Sequence, residues 1–300
     1  MITDESTLVV LAGPTATGKT ATAIRLAGTL GTEILSADSR QFYSEMKIGT
    51  AAPSSEELNT VTHHFIGHLS IHDNYNVSRF ETDALEKLNE LFRKHQFVLL
   101  VGGSGLYINA VCRGIDELPD PDAGLREKLK QLHSESGIVA LQKKLQEIDP
   151  EYYRQVDLNN PVRIIRALEV SITMGVPYSS LLKDKPKARP FKILKLGLEL
   201  PREELNQRIH ERIDNMISAG LLEEVRELWP HRNLNALNTV GYKELFDYLD
   251  GKVGLDAAII NMKTNTRRYA KRQMTWFRKE KEIRWFHPRN VQGMLQLLGH

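Results

Sequence analysis

Two unbroken runs of apolar residues punctuate this chain, and between them the apolar positions recur at helical spacing. Residues 8–12 (LVVLA) and 97–101 (FVLLV) are unbroken and β-branched, which predicts strands buried on both faces of a parallel sheet. Residues 33–37 (EILSA) read as a further strand, 191–200 (FKILKLGLEL) as another, and 283–286 as a short last one. Helical spacing follows at 21–30, at 78–94 through Phe80, Ala84, Leu88 and Leu91, and at 106–111. Ser78 and Glu81 suit a capping box for the second of these. Residues 52–76 show no period and read as irregular. Strand alternating with helix predicts an α/β fold with a parallel sheet covered by helices.

From about residue 118 the texture changes. Pro119, Asp120, Pro121 and Asp122 form a breaker cluster, and no strand pattern appears before 185. Residues 122–133 and 138–148 are amphipathic, and Asn160-Pro161 offers an N-cap and first helical residue for 161–174. Because a strand resumes at 191, residues 118–188 read as an all-helical insertion. The α/β core is then 1–117 plus 189–300. Helices are expected again at 202–220, 221–229 and, strongly basic, 255–281.

The first strand runs into Gly13-Pro14-Thr15-Ala16-Thr17-Gly18-Lys19-Thr20. Two glycines with four residues between them, then Lys-Thr, between a strand and a helix, predict a phosphate-cradling loop. Its backbone N–H groups and the helix N-terminus face the phosphates, Lys19 adds charge, and Thr20 offers a hydroxyl to Mg²⁺. The chain therefore binds a di- or triphosphate, a nucleotide such as ATP among the candidates.

Asp38 follows the second strand, where ligands of open α/β sheets bind. It reads either as a general base or as a cap for the turn after it. The second apolar run ends in Gly102-Gly103, where many phosphate-loop ATPases carry a metal-holding Asp. Phosphoryl transfer is thereby weakened without being excluded. His63, His64 and His68 cluster without cysteine, and turn hydrogen bonding explains them better than zinc. Arg208 and Arg212, four apart on one helix face, either clamp a diphosphate or pair with Glu204 and Glu211. Lys263, Arg267, Arg268, Lys271, Arg272, Arg278 and Lys279 crowd the last long helix, with Tyr269, Gln273 and Trp276 expected to turn inward.

Composition adds little to this. A formal charge of +2 demands no nucleic-acid partner, so any such case rests on local clustering. The single cysteine, Cys112, allows no internal disulfide, and no run reaches the length of a membrane span, so a cytoplasmic location and no membrane partner are expected. Asp4 and Glu5 stand where a secretory leader would carry cations.

Taken in order, Gly13 to Thr20, Asp38-Ser39-Arg40-Gln41, Gly102-Gly-Ser104-Gly-Leu-Tyr107, Arg163-Ile-Ile-Arg-Ala-Leu-Glu169, Val240-Gly-Tyr242 and Lys271-Arg-Gln-Met-Thr-Trp-Phe-Arg278 resemble the bacterial tRNA dimethylallyltransferases. Family members often carry threonine where Ser104 stands, so the hydroxyl is kept. The resemblance implies a phosphate-loop NTPase-like core and transfer of a dimethylallyl group from dimethylallyl diphosphate to N6 of adenosine 37, with Mg²⁺. It implies Asp38 as base and Lys19, Thr20 and Arg212 at the diphosphate. It also implies that Ser39, Arg40 and Gln41 lie near a flipped adenosine. Ser104, Arg126, Val162, Arg163, Ile164, Ile165, Arg166, Lys271, Arg272, Gln273 and Arg278 would meet tRNA, with the insertion gripping the anticodon stem. A monomer is the default.

Overall fold

A computed structural model of the chain describes residues 6–116, 118–120, 122–183 and 185–299. Asp4, Glu5 and Pro121, used above, lie outside them, as does Glu117 at the end of the first expected core segment. The chain divides into two compact units, residues 1–112 with 188–300, and residues 113–187.

The larger unit is built on six strands: Thr7–Ala12 (β1), Ile34–Ser36 (β2), His63–His64 (β3), Phe97–Gly102 (β4), Lys192–Leu198 (β5) and Arg284–Phe286 (β6). They form one sheet in the order β3-β2-β4-β1-β5-β6, with every pairing parallel. The strand period of two sorts β1 between two cores. Leu8, Val10 and Ala12 join Leu35, Phe80, Leu88, Leu100 and Val111 on one face. Val9 and Leu11 join Ala23, Leu26, Leu99, Leu196 and Met294 on the other. Each such side chain, wholly buried, contributes about 1.5–3 kcal/mol, so the two faces together fix the register of the central strand.

Helix Lys19–Leu30 (α1) follows β1 directly. Residues 52–76 are less irregular than expected. They contain helix Ser55–Thr60 (α2), closed by a capping box between Ser54 and Glu57, and the edge strand β3. Elements this short carry too few residues for a period to show. The histidines of this stretch serve structure: His64 bonds Glu33 at 2.7 Å, His63 bonds the Val61 carbonyl at 2.8 Å, and His68 packs edge-on to Phe42, Phe65 and Tyr75. Helix Val77–Leu91 (α3) is capped by Asn76, whose side chain accepts from the Ser78 and Arg79 N–H groups. The Ser78–Glu81 box is thus corrected. Glu81 is buried and pairs with Arg189 at 2.7 Å, an interaction whose one-sided loss costs about 3–5 kcal/mol and which outweighs a cap. Helix Gly105–Arg113 (α4) follows β4.

Helices are the only regular elements among the described residues of the smaller unit. Ala123–Ile148 (α5) breaks at Gly137, with φ of 70°, into the two amphipathic segments expected. Pro150–Gln155 (α6), Pro161–Met174 (α7) and Tyr178–Leu181 (α8) complete it. Asn160 caps α7, accepting from the Arg163 N–H. Leu129, Leu141, Leu145, Ile164, Ile165 and Leu168 form a core of its own. Its two ends meet, since the Lys187 N–H donates to the Arg113 carbonyl at 2.7 Å.

Back in the larger unit, Arg202–Ser218 (α9), Leu221–Leu228 (α10), Tyr242–Leu249 (α11) and Leu255–Phe277 (α12) pack around Ile209, Ile213, Val225, Leu237, Tyr242, Leu245 and Met262. The basic helix α12 stops at 277 rather than 281. A final helix, Val291–Gln296 (α13), packs against the α1 side of the sheet and was not foreseen. No helix among the described residues is long and apolar enough to cross a membrane.

Replacing residues 114–186 by a short glycine-serine linker is expected to leave a sheet unit that still unfolds in one cooperative transition. A broad, non-cooperative melt followed by circular dichroism would contradict that independence.

Candidate active site

The C-terminal ends of β1, β2 and β4 open onto one cleft of about 1170 Å³ of non-protein space, its mouth included. Its wall includes Thr15, Gly18, Lys19 and Thr20 from the loop after β1, and Asp38, Arg40 and Gln41 from the turn after β2. Helices α9 and α12 add Arg212 and Met216, and Met262, Thr266, Tyr269 and Gln273. Such a cleft beyond the strand ends is where open parallel sheets bind ligands.

The loop is set by its own bonds. The Thr17 hydroxyl and the Lys19 ammonium both donate to the Pro14 carbonyl at 2.8 Å. Gly18 has φ of 87°, a left-handed value that a side chain would strain, and it starts α1 so that the helix N-terminus faces the cleft. Gln273 ties the loop to the sheet: its Oε1 accepts from the Thr15 N–H and its Nε2 donates to the Gly103 carbonyl, both at 2.9 Å. The paired glycines after β4 now have a use. A side chain on Gly102 would strike the Ala37 backbone, and one on Gly103 would strike the Gln273 amide.

Charge gathers here. Burial lowers the Lys19 ammonium to about 8, with Asp38 opposing and Arg212 adding to the shift. Burial also lowers the Arg212 guanidinium, again opposed by Asp38, but it stays a cation at neutral pH. Its Nη1 donates to the Thr15 hydroxyl at 3.2 Å. Arg208, its neighbour four residues earlier, is paired with Glu204 at 2.9 Å. Of the two arginines, only Arg212 lines the cleft. Burial, then Asp38, push the Tyr269 phenol up to about 12, so it remains a proton donor.

Asp38 Oδ1 accepts from the Arg40 N–H at 3.0 Å, which shapes the turn. The same carboxylate lines the cleft. The Ser39 N–H donates to the Ser104 hydroxyl at 3.2 Å, joining the turns after β2 and β4. The Gln41 amide donates to the Thr50 and Ala51 carbonyls. Among the described residues no three His, Cys, Asp or Glu gather to hold an ion. The Thr20 hydroxyl is a hard oxygen donor, which fits a cation that takes its other oxygens from phosphate and water.

Several residues expected at RNA are otherwise engaged. Gln273 is buried and serves as the brace just described. Ile164 and Ile165 lie in the core of the helical unit, because the helical period turns them away from exposed Val162 and Arg163. Arg126 and Arg166 both bond the buried Glu169 carboxylate, at 2.7 and 3.0 Å, and Arg166 also reaches the Pro119 carbonyl. Lys271 and Arg272 are exposed on α12, with Arg272 over the Tyr269 ring, and Arg278, exposed just after the helix, lies 3.7 Å from the Glu199 carboxylate. Trp276, expected inward, is 37% exposed and lies against Gly105. The sequence reading missed Met262 and Thr266, although with Tyr269 and Gln273 they recur every three or four residues as one helix face. Thr239 and Val240 line the cleft from a turn with no periodic signal.

A sequence model of the family described as IPP transferase matches residues 41–280. The chain belongs to the IPP transferase family. Among IPP transferase relatives, a tRNA dimethylallyltransferase of Christiangramia forsetii is 56% identical over 279 residues, covering 93% of this chain and 92% of that protein. One from Bacteroides fragilis, tRNA dimethylallyltransferase 1, is 49% identical over 292 residues, 97% of both chains. The solved tRNA isopentenylpyrophosphate transferase of Bacillus halodurans superposes with a TM-score of 0.72 at 36% identity, covering 98% of this chain and 96% of that one. A eukaryotic dimethylallyltransferase captured acting on tRNA gives 0.78 at 26% identity, covering 94% and 74%. The parallel sheet with its loop after β1 is accordingly a P-loop NTPase-like fold.

Two outcomes follow for this IPP transferase site. Burial leaves the Lys19 ammonium charged below about pH 8 and neutral above it, so anion affinity in the cleft is expected to follow its charge. The apparent Kd for a prenyl diphosphate should rise as pH climbs through that value, by up to about tenfold per unit. Calorimetry across pH should show this step in the wild type and not in Lys19→Met. Gln273→Leu leaves a buried N–H and carbonyl unpaired and should cost about 1–3 kcal/mol in thermal or urea unfolding.

Proposed function

We propose that this chain transfers a dimethylallyl group from dimethylallyl diphosphate to N6 of adenosine 37 in the tRNA anticodon loop, releasing diphosphate. The observation that carries the reading is one cleft in which a phosphate loop, Arg212 and the Asp38 carboxylate face the same space. The relatives named above support it. A diphosphate in the loop would draw Lys19 from the Pro14 carbonyl and Arg212 from the Thr15 hydroxyl, two charge-assisted contacts on the leaving group. Losing one such contact costs about 2–4 kcal/mol of transition-state stabilisation, so Lys19→Ala should slow transfer even at saturating donor.

Mg²⁺ fits at the Thr20 hydroxyl, where it would offset charge on the departing diphosphate. Asp38 would orient the exocyclic amine and take its proton, a role that requires the adenosine to leave its stack. Ser39, Gln41 and Ser104 lie on the turns beside that carboxylate and would border the flipped base. The exposed Lys271, Arg272 and Arg278, and Val162 and Arg163 of the helical unit, are the surface residues we assign to tRNA. The enzyme would act as a monomer in the cytoplasm, where its tRNA is.

Incubation with labelled dimethylallyl diphosphate, Mg²⁺ and unmodified tRNA tests the activity. Label retained on tRNA at adenosine 37 supports it, and no transfer refutes it. Asp38→Asn keeps the acceptor for the Arg40 N–H but cannot take a proton. Single-turnover transfer should fall about 10²–10⁴-fold while tRNA and donor binding stay near wild type. Retained speed would reduce Asp38 to a turn-former. Arg163→Glu, which breaks no ion pair seen here, should raise KM for tRNA and leave KM for the donor unchanged.

A further inference from the structure

Arg40 sits in the motif that the family resemblance assigns to tRNA, yet its guanidinium is turned to the protein. Its Nη1 donates to the carbonyls of Asn235 and Ala236, both at 2.9 Å, and its Nη2 faces the Asn238 carbonyl at 3.5 Å. Those carbonyls belong to the 3₁₀ turn Asn235–Leu237 and the residue following it. The next two residues, Thr239 and Val240, line the cleft. Through its main chain, Arg40 holds Asp38 Oδ1 at 3.0 Å. One residue therefore touches the reacting carboxylate on one side and the opposite wall on the other.

The geometry suits arginine in particular. A planar fork of donors can span carbonyls that diverge from successive residues, whereas a lysine ammonium is a single point on a flexible stem. The far end of the same loop is anchored to the same helical layer. The Glu224 carboxylate accepts from the Lys47, Ile48 and Gly49 N–H groups at 2.9, 2.7 and 2.9 Å, and from the Tyr242 hydroxyl at 2.7 Å. The segment from 38 to 49 is thus clamped at both ends to residues 224–242.

We propose that Arg40 is a positioning residue: it fixes the 235–240 turn against the 38–41 turn, so that Thr239 and Val240 form a rigid side of the acceptor cleft. It spends its donors on carbonyls, not on a tRNA phosphate. The kinetic half of this proposal rests on the transferase reading above; the structural half does not.

The test compares wild type, Arg40→Lys and Arg40→Ala in two measurements, after melts confirm that each variant is folded at the assay temperature. The first is amide hydrogen exchange of the free protein at Asn238, Thr239 and Gly241. Their N–H groups are bonded within the turn to the Asn235 and Leu237 carbonyls and to Glu244. Exchange should speed up by at least about tenfold in Arg40→Ala, because the turn loses its tether. The second is steady-state prenyl transfer. There kcat should fall by about 10²-fold with KM for tRNA within about threefold of wild type, and Arg40→Lys should fail to rescue it. Unchanged exchange overturns the proposal. So does a rise in KM for tRNA with kcat preserved and restored by lysine, the signature of a phosphate contact. If the wild type transfers no prenyl group, the transferase reading fails, and exchange alone decides the role of Arg40.

Discussion

The amide of Gln273 holds the working geometry together. A phosphate loop binds anions only if its N–H groups point inward, and a backbone in that conformation has no ladder partners of its own. Gln273 supplies both missing bonds, one to the Thr15 N–H and one to the Gly103 carbonyl, and so fastens the loop after β1 to the turn after β4. This accounts for the glycine at 103, just after β4, whose side-chain space is already filled by the end of a side chain from α12; the glycine at 102, the last of the strand, yields instead to the Ala37 backbone. The helix that carries basic residues outward therefore also sets the loop inward, and a shift of α12 would be felt at the phosphates.

Around that brace the site concentrates charge at some expense. Lys19 and Arg212 are pulled toward neutrality by burial, and Asp38 is what counters it. Negative charge arriving as diphosphate would strengthen both cations and relieve their mutual repulsion. Free protein is thus electrostatically unfinished, a state that favours anion binding. The same low dielectric keeps Tyr269 protonated beside Asp38, so the carboxylate faces a donor instead of a competing anion.

Much of this was legible from residues alone, for identifiable reasons. Strands β1 and β4 are apolar on both faces, so no periodicity was needed to find them. The loop between β1 and α1 depends on glycines at fixed spacing, and Asp38 on its place after a strand. What escaped was either too short or set by distant partners. Strand β3 has two residues. Helix α2 has six. The cap of α3 moved to Asn76 because Glu81 is drawn to Arg189, which lies 108 positions away. Arg212 lines the cleft and Arg208 pairs with Glu204 because of which turn of α9 faces Thr15, and four residues of spacing cannot show that.

Positive charge is where the spacing of residues says least about which donors remain available. A basic motif counts side chains; a structure shows which of them have donors left. Arg40 is spent on three carbonyls. Arg126 and Arg166 share the buried Glu169 carboxylate, so the trio carries one net positive charge, not two. Arg208 belongs to Glu204. By contrast, Lys271, Arg272 and Arg163 stand on exposed helix faces. The counterion release that accompanies RNA binding scales with phosphates neutralised, and therefore with the second group more than with the full roll of arginines. The committed arginines do different work. They hold turns and helices in register: Arg40 ties the 38–41 turn to the 235–238 carbonyls, and Arg126 and Arg166 tie α5, α7 and the Pro119 carbonyl together through Glu169.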